Sequence, residues 1–302
     1  MALNYLIKSK GLVLLLAILI MTFVSPDNAF GQSKRALLVG ISNYPSADDN
    51  SWDTINGTND IHLIAKTLKN SGYSINELSN DEATFEAIQK ALSFLASNCN
   101  KGDIVYIHFS CHGQPFEDLD GDEDDGWDES IIPYNAPMSY VKGVYEGEHH
   151  LTDDMLSNYF NSIRKAVGPS GFVCVVVDAC HAGGSSRGDE DEELYCRGTK
   201  KGFSPKGKQY RPPINTQGSF HIKTEKELSN ITILEACRAY QSNHEIKQNG
   251  NYYGPLSYYV SVVLSSGLYS ISDLQWVQKV REHMENDSRL IRQNMVFETS
   301  IQ

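Results

Sequence analysis

Short, continuously apolar runs alternate along this chain with stretches in which apolar residues recur at helical spacing. Lys34 to Ile41 (KRALLVGI) ends in Ser-Asn-Tyr-Pro and has the pattern of a parallel strand buried on both faces. From Thr58 to Asn70, Ile61, Ile64, Ala65 and Leu68 line one helical face, and Asn70-Ser71-Gly72 supplies a stop. The alternation repeats as a weak strand from Tyr73 to Leu78, a helix from Ala83 to Ser97 and a strand from Asp103 to Ser110 (DIVYIHFS). This order predicts a parallel sheet with right-handed crossovers. After an acidic loop and a hairpin, a helix is expected from Thr152 to Ala166, capped by Thr152 and Asp153. Phe172 to Val177 (FVCVVV) is the most strand-like segment. From Ala182 to Asn230 the periodicity is lost among Gly, Ser, Pro and mixed charges, which predicts a long, mobile loop rather than a second domain. A strand from Ile231 to Cys237, helices from Leu256 to Ser265 and Ser272 to Asn286, and a last strand from Met295 to Glu298 complete the pattern.

The first residues change the picture at one end. Lys8 and Lys10, an apolar run from Leu12 to Val24, and small residues up to Gly31 have the three-part layout of a secretory signal. That run is shorter than the roughly 20 residues a membrane span needs. The expectation is removal of 1–31, one α/β domain over 32–302 and an exported, periplasmic or extracellular protein. The formal charge of −12 repels phosphate backbones, which argues against nucleic acid as a partner and favours basic peptides. Six cysteines without a CxxC pair argue against a zinc ribbon, and their disulfide pairing stays open. Cys174 and Cys237 read as small core residues.

Candidate chemistry sits where two strands end. One runs into Ser110-Cys111-His112-Gly113, the other into Asp178-Ala179-Cys180-His181-Ala182-Gly183-Gly184. Ligands of open α/β sheets bind at the carboxyl ends of strands, so both sets face one crevice if the strands are neighbours. A thiol is activated by a nearby imidazole that takes its proton and returns it to a leaving amine. His112 is accordingly the base and acid, and Cys180 the nucleophile. The amides of Gly113 and Cys180 are candidates for the oxyanion hole. Taken singly, a capping or core histidine is the better account of His112, and a buried hydrophobic cysteine serves for Cys180; their joint placement at the ends of apolar strands, each followed by glycine, favours catalysis. His181 points to the opposite face of an extended chain and is not expected to pair with Cys180.

The His-Gly after one strand and the Asp-x-Cys-His-x-Gly after the next resemble the caspase-hemoglobinase clan, specifically metacaspases and their bacterial relatives. RALLVGISNYP, Gly57-Thr58-Asn59-Asp60, DEDDGWDESIIP, ILEACRAYQ and GPLSYYV follow the same order of segments. The resemblance implies a three-layer sandwich, a mostly parallel six-stranded sheet with helices on both faces, working as a monomer. It places Asp60 and Asp178 on the family's pocket acids and Ser110 on a serine that lines the pocket, which implies cleavage after Arg or Lys. Asp178 also lies two residues before Cys180, on the same side of an extended strand. Asp60 is equally an ordinary first-turn helix carboxylate. The rival readings are a silent module that captures basic peptides, and a clostripain-like or gingipain-like peptidase.

Acids from Asp118 to Glu129 concentrate oxygen ligands of the kind calcium takes, although Glu123 stands where an EF-hand needs Gly. By resemblance to calcium-dependent metacaspases the ligands are Asp128, Asp153 and Asp154, with Arg187 where a further Asp is expected and Asp189 only nearby. No cofactor is required, and calcium is the one ion this reading admits. Arg187, Arg197, Lys200, Lys201, Lys206 and Lys208 make the loop after Gly184 a candidate for self-cleavage, with the bond left open.

Overall fold

The computed structural model describes residues 32–45, 51–181, 195–212 and 218–301. The expected leader, Arg187 and Asp189 lie outside these residues. A six-stranded sheet runs in the order β11, β8, β7, β3, β1, β2. Its strands are β1 (Lys34–Gly40), β2 (Ser74–Ser79), β3 (Ile104–Ser110), β7 (Phe172–Asp178), β8 (Asn230–Glu235) and β11 (Val296–Thr299). All neighbours pair in parallel except β11, which is antiparallel to β8.

Alternation within each strand divides the interior into two cores. Leu37, Val39, Val105, Ile107, Phe109, Val173 and Val175 face α2 (Phe85–Asn98) and α3 (Asp153–Val167). Leu38, Tyr106, Cys174 and Val176 face α1 (Gly57–Asn70), α4 (Pro255–Leu264) and α5 (Gln275–Asn286). Burial on both faces is why these strands read as unbroken apolar runs. The Thr152 side chain caps α3 by accepting from the Met155 N–H at 3.4 Å.

The expected hairpin is a three-stranded sheet of β4 (Gly113–Glu117), β5 (Trp127–Ile131) and β6 (Leu151–Thr152). A short pair, β9 (Ile246–Gln248) and β10 (Asn251–Tyr253), leaves no period-two signal because only Ile246 is buried.

The largest departure from the sequence expectation is the segment after Cys180. Its described parts are 195–212 and 218–230, and the first is built into the molecule. Arg197 and Phe203 are buried, and the backbone pairs with β4 at Gly113–Gly198 and Phe116–Phe203. Backbone pairing and two anchoring side chains hold it, and neither leaves a hydrophobic period.

Candidate active site

Strand register brings the two chemical sets together. Ser110 on β3 is paired with Asp178 on β7, and His112 and Cys180 each lie two residues beyond that pair. Gly113 packs against the same point: a side-chain carbon there would sit 2.6 Å from the Cys180 carbonyl oxygen. Only glycine permits this approach.

The His112 ring stacks on Trp52 at 5.1 Å and is tilted against Tyr44 at 5.3 Å. Its Nε2 lies 2.8 Å from the Asp53 carbonyl oxygen, an arrangement that makes Nε2 the protonated nitrogen. Nδ1 is buried without a hydrogen-bond partner and is left as the proton acceptor. Burial pushes the imidazole down to about 4, so it is neutral near pH 7. Tyr44 fixes the backbone here as well, accepting from the His112 N–H and donating to Ile132 O, both at 3.1 Å. Only the Ser-Asn-Tyr-Pro ending of β1 hinted at Tyr44, and Trp52 carried no local signal.

Cys180 is wholly buried, and its thiol donates to the Gln241 carbonyl at 2.9 Å. Beside it sits Cys237, a core residue as expected but also a neighbour of the candidate nucleophile. A hydrogen bond with the Cys180 thiol, reinforced by burial, raises the Cys237 thiol well above its ordinary range. Cys111 lies in the core on the α2 side, pushed up to about 12 by burial. Neither is suited to act as nucleophile near neutral pH. The His181 ring packs against Gly113.

Asp60, Ser110 and Asp178 converge on one buried cation, Arg197. Its guanidinium lies 2.7 Å from Asp60 Oδ2 and 3.5 Å from Asp178 Oδ1, and donates to Ser110 Oγ at 2.7 Å. Glu245, which the sequence reading missed, accepts from Nε at 3.1 Å and from Nη2 at 2.8 Å. It follows the ILEACRAYQ stretch with no motif of its own, and only the fold brings it to the pocket. The acids are themselves held in place. Asn243 donates to Asp178 Oδ1, the Ser257 N–H and hydroxyl donate to Asp178 Oδ2, and the Gly254 N–H donates to Asp60. The Asn56 N–H and side-chain amide donate to Glu245. Gly254 closes the pocket, since a side-chain carbon there would collide with Asp178 and Arg197.

Burial pushes Asp60 up to about 7 although the guanidinium pulls it down. For Arg197, burial works against the cation but Asp60, Asp178 and Glu245 outweigh it and raise its value. The backbone is engaged too: the Arg197 carbonyl accepts from the Gly113 and Cys180 amides, both at 3.1 Å. These are the two amides expected for an oxyanion hole.

The acidic residues form a separate cluster. Oxygens of Asp118, Asp122 and Asp128 lie within 4.8 Å of one another, as do those of Asp120, Asp122 and Asp154. Asp128 and Asp154 thus join the loop acids, whereas Asp153 belongs to neither group. Asp128 Oδ1 and Asp153 Oδ1 are buried without hydrogen-bond partners. Burial, then the neighbouring acids, pushes Asp128 up to about 7 and Asp153 well above the ordinary carboxylate range. Orphaned, mutually repelling carboxylate oxygens fit a hard cation.

The fold is similar to that of protein GSU0716 from Geobacter sulfurreducens, known from a crystal structure. The TM-score is 0.60 at 19% identity, covering 88% of this chain and 93% of that one. Metacaspase-1A of Neurospora crassa is 30% identical over 159 residues, which is 50% of this chain and 32% of the relative. Metacaspase-4 of Arabidopsis thaliana is 28% identical over 179 residues, 56% of this chain and 38% of the relative. The matched part thus amounts to about a third of the length of these curated relatives. The caspase domain model matches residues 33–300, nearly the whole described chain, and the protein therefore belongs to the caspase domain family.

Proposed function

We propose that this protein is a cysteine endopeptidase that hydrolyses peptide bonds after Arg or Lys. The observation that carries the reading is the enclosure of the Arg197 side chain by Asp60, Asp178, Glu245 and Ser110 while two amides hold its carbonyl oxygen. A substrate arginine bound in this way presents its carbonyl carbon to the Cys180 sulfur. His112 Nδ1 takes the thiol proton and delivers it to the leaving amine, and the Gly113 and Cys180 amides stabilise the oxyanion. Water then adds to the thioester, giving a carboxylate and restoring the thiol. The substrates are peptides or proteins of an exported enzyme that works as a monomer and needs no cofactor for the chemical step. If calcium binds, Asp118, Asp120, Asp122, Asp128 and Asp154 would hold it, with the orphaned Asp153 oxygen beside them. The ion would neutralise the acidic hairpin and take no part in the chemistry.

The test uses fluorogenic peptides ending in Arg, Lys or Asp, under reducing conditions. They are given to the full chain, to Arg197→Ala, in which the pocket is vacated, and to Cys180→Ala. Hydrolysis after Arg and Lys, lost in Cys180→Ala, is the expected result. Hydrolysis after Asp would overturn the pocket assignment. Binding of Arg peptides without hydrolysis would make the protein a basic-peptide capture module.

A further inference from the structure

One face of β3 turns polar as it approaches the pocket: Tyr106, His108 and then Ser110, which bonds Asp60 and Arg197. Neither Tyr106 nor His108 takes part in the cleavage chemistry. His108 is fully buried, with Leu38 of β1 and Val176 of β7 beside it in the strand register. A buried imidazole among apolar side chains costs stability unless its nitrogens find partners. Both nitrogens of His108 do so. Nδ1 lies 3.0 Å from the Tyr106 hydroxyl, and Nε2 lies 2.9 Å from the Ser257 hydroxyl in the first turn of α4.

The direction of each bond follows from the chemistry of its partners. The Asp178 carboxylate only accepts, so the single Ser257 hydroxyl proton goes to Asp178 Oδ2, at 2.7 Å. The Ser257 oxygen then accepts from His108, which makes Nε2 the protonated nitrogen. Burial pushes the imidazole down to about 4, with Asp178 opposing and Arg197 adding to the effect. Near pH 7 the ring is therefore neutral, and Nδ1 accepts the Tyr106 proton. Every bond points the same way, from Tyr106 to His108 to Ser257 to Asp178. All four residues are fully buried, so solvent does not compete for the bonds. Asp178 Oδ2 also accepts from the Ser257 N–H at 2.7 Å, which leaves Oδ1 turned to Asn243 at 2.7 Å and to the Arg197 guanidinium at 3.5 Å. A serine near a helix start has local backbone carbonyls to turn to instead. The His108 N–H at its oxygen keeps the Ser257 hydroxyl on Asp178.

Resting on the cleavage after Arg or Lys proposed above, we propose that His108 is a positioning residue of the specificity pocket. Through Ser257 it fixes the Asp178 carboxylate against the side chain of the residue before the cut bond, and Tyr106 sets the tautomer this requires. Neither of its hydrogen bonds runs to Cys180 or His112, so the role lies in binding and not in the thiol chemistry. Loss of the donor weakens the hold on the substrate cation in the ground state and the transition state alike, which raises KM and leaves kcat. His108→Gln keeps an N–H donor at the reach of Nε2, whereas His108→Leu has none and His108→Asn is too short.

Hydrolysis of Arg peptides in the Arg197→Ala background tests this. The expected KM is about tenfold higher in His108→Leu and His108→Asn with kcat within about twofold, and is restored in His108→Gln. Ser257→Ala should raise KM too, and adding His108→Leu to it should raise KM no further. An unchanged KM in His108→Leu, a loss carried by kcat, a His108→Gln variant as impaired as His108→Leu, or additive effects of His108 and Ser257 would each overturn the proposal. A second measurement needs no activity. In the full chain carrying Cys180→Ala, denaturant unfolding compares His108→Leu, Arg197→Ala and the double variant. His108→Leu is expected to cost less stability once Arg197 is gone, because the carboxylate it positions then has no cation to meet; equal costs would overturn the positioning role. An Arg197→Ala parent that hydrolyses no peptide would overturn the peptidase reading, and the unfolding cycle then decides the role of His108 by itself.

Discussion

At the residue scale, the pocket is a buried charge cluster whose pieces come from separate parts of the chain. Asp178 was readable because it lies two residues before Cys180 on an apolar strand, and Asp60 and Ser110 only through the resemblance to metacaspases. Glu245 was not, since a lone Glu in an irregular stretch is most often a solvated side chain. Its removal should be as damaging as that of the others, because breaking a buried ion pair costs about 3–5 kcal/mol. Glu245→Gln should therefore lower kcat/KM for Arg peptides by about two orders of magnitude or more. Activity toward Arg peptides should also depend on pH through Asp60, which burial holds at about 7. Below that value Asp60 takes up a proton and the pocket loses part of its attraction for a cation. His112, pushed down to about 4, is already neutral over this range and does not set the limb. The expected profile of kcat/KM for Arg197→Ala has an acid limb at or above about 7, because the guanidinium that pulls Asp60 down is absent. In the Asp60→Asn double variant activity is lower and the limb is gone; a limb that persists would assign it to another group.

At the element scale, the β4–β5 hairpin carries two devices: its β4 edge holds the 198–203 segment, and the turn between its strands gathers the acids. Phe203 anchors the segment in a small aromatic cluster apart from the two main cores. Phe203→Ala removes a buried side chain, a change that costs about 3–5 kcal/mol in a well-packed core. Here the loss should fall on the segment, so amide hydrogen exchange at Glu117 is expected to accelerate while β3 and β7 stay protected. Unchanged exchange would mean the backbone bonds alone hold the segment. Calcium at the acid cluster should stabilise the chain by mass action, about 2.7 kcal/mol at a hundredfold excess over Kd. The expected result is a higher Tm with calcium than with chelator, lost in Asp128→Asn; equal melting in both would remove calcium from the account.

At the scale of the whole molecule, the sheet joins parts of the chain that lie on both sides of Arg197. β8 lies between β7 and β11 in the sheet, and β8, α4, α5 and β11 all follow Gly198 in sequence. The pocket is likewise shared: Asp60, Ser110 and Asp178 precede Arg197, while Asn243, Glu245, Gly254 and Ser257 follow it. A chain nicked between Arg197 and Gly198 should stay in one piece under native conditions and separate only in denaturant; separation under native conditions would show that the sheet does not hold the two parts. The strands and helices of the sandwich, the His112 and Cys180 candidates and two of the pocket acids were determined by the sequence alone. Apolar periodicity is a local property, and residues at the carboxyl ends of buried strands can be counted from it. The strand order, the aromatic bracket of Tyr44 and Trp52 around His112, the third acid Glu245 and the seating of Arg197 were decided only by the tertiary structure. Each depends on contacts between residues far apart in the chain, made by backbone pairing and buried charge that leave no periodic trace in the sequence.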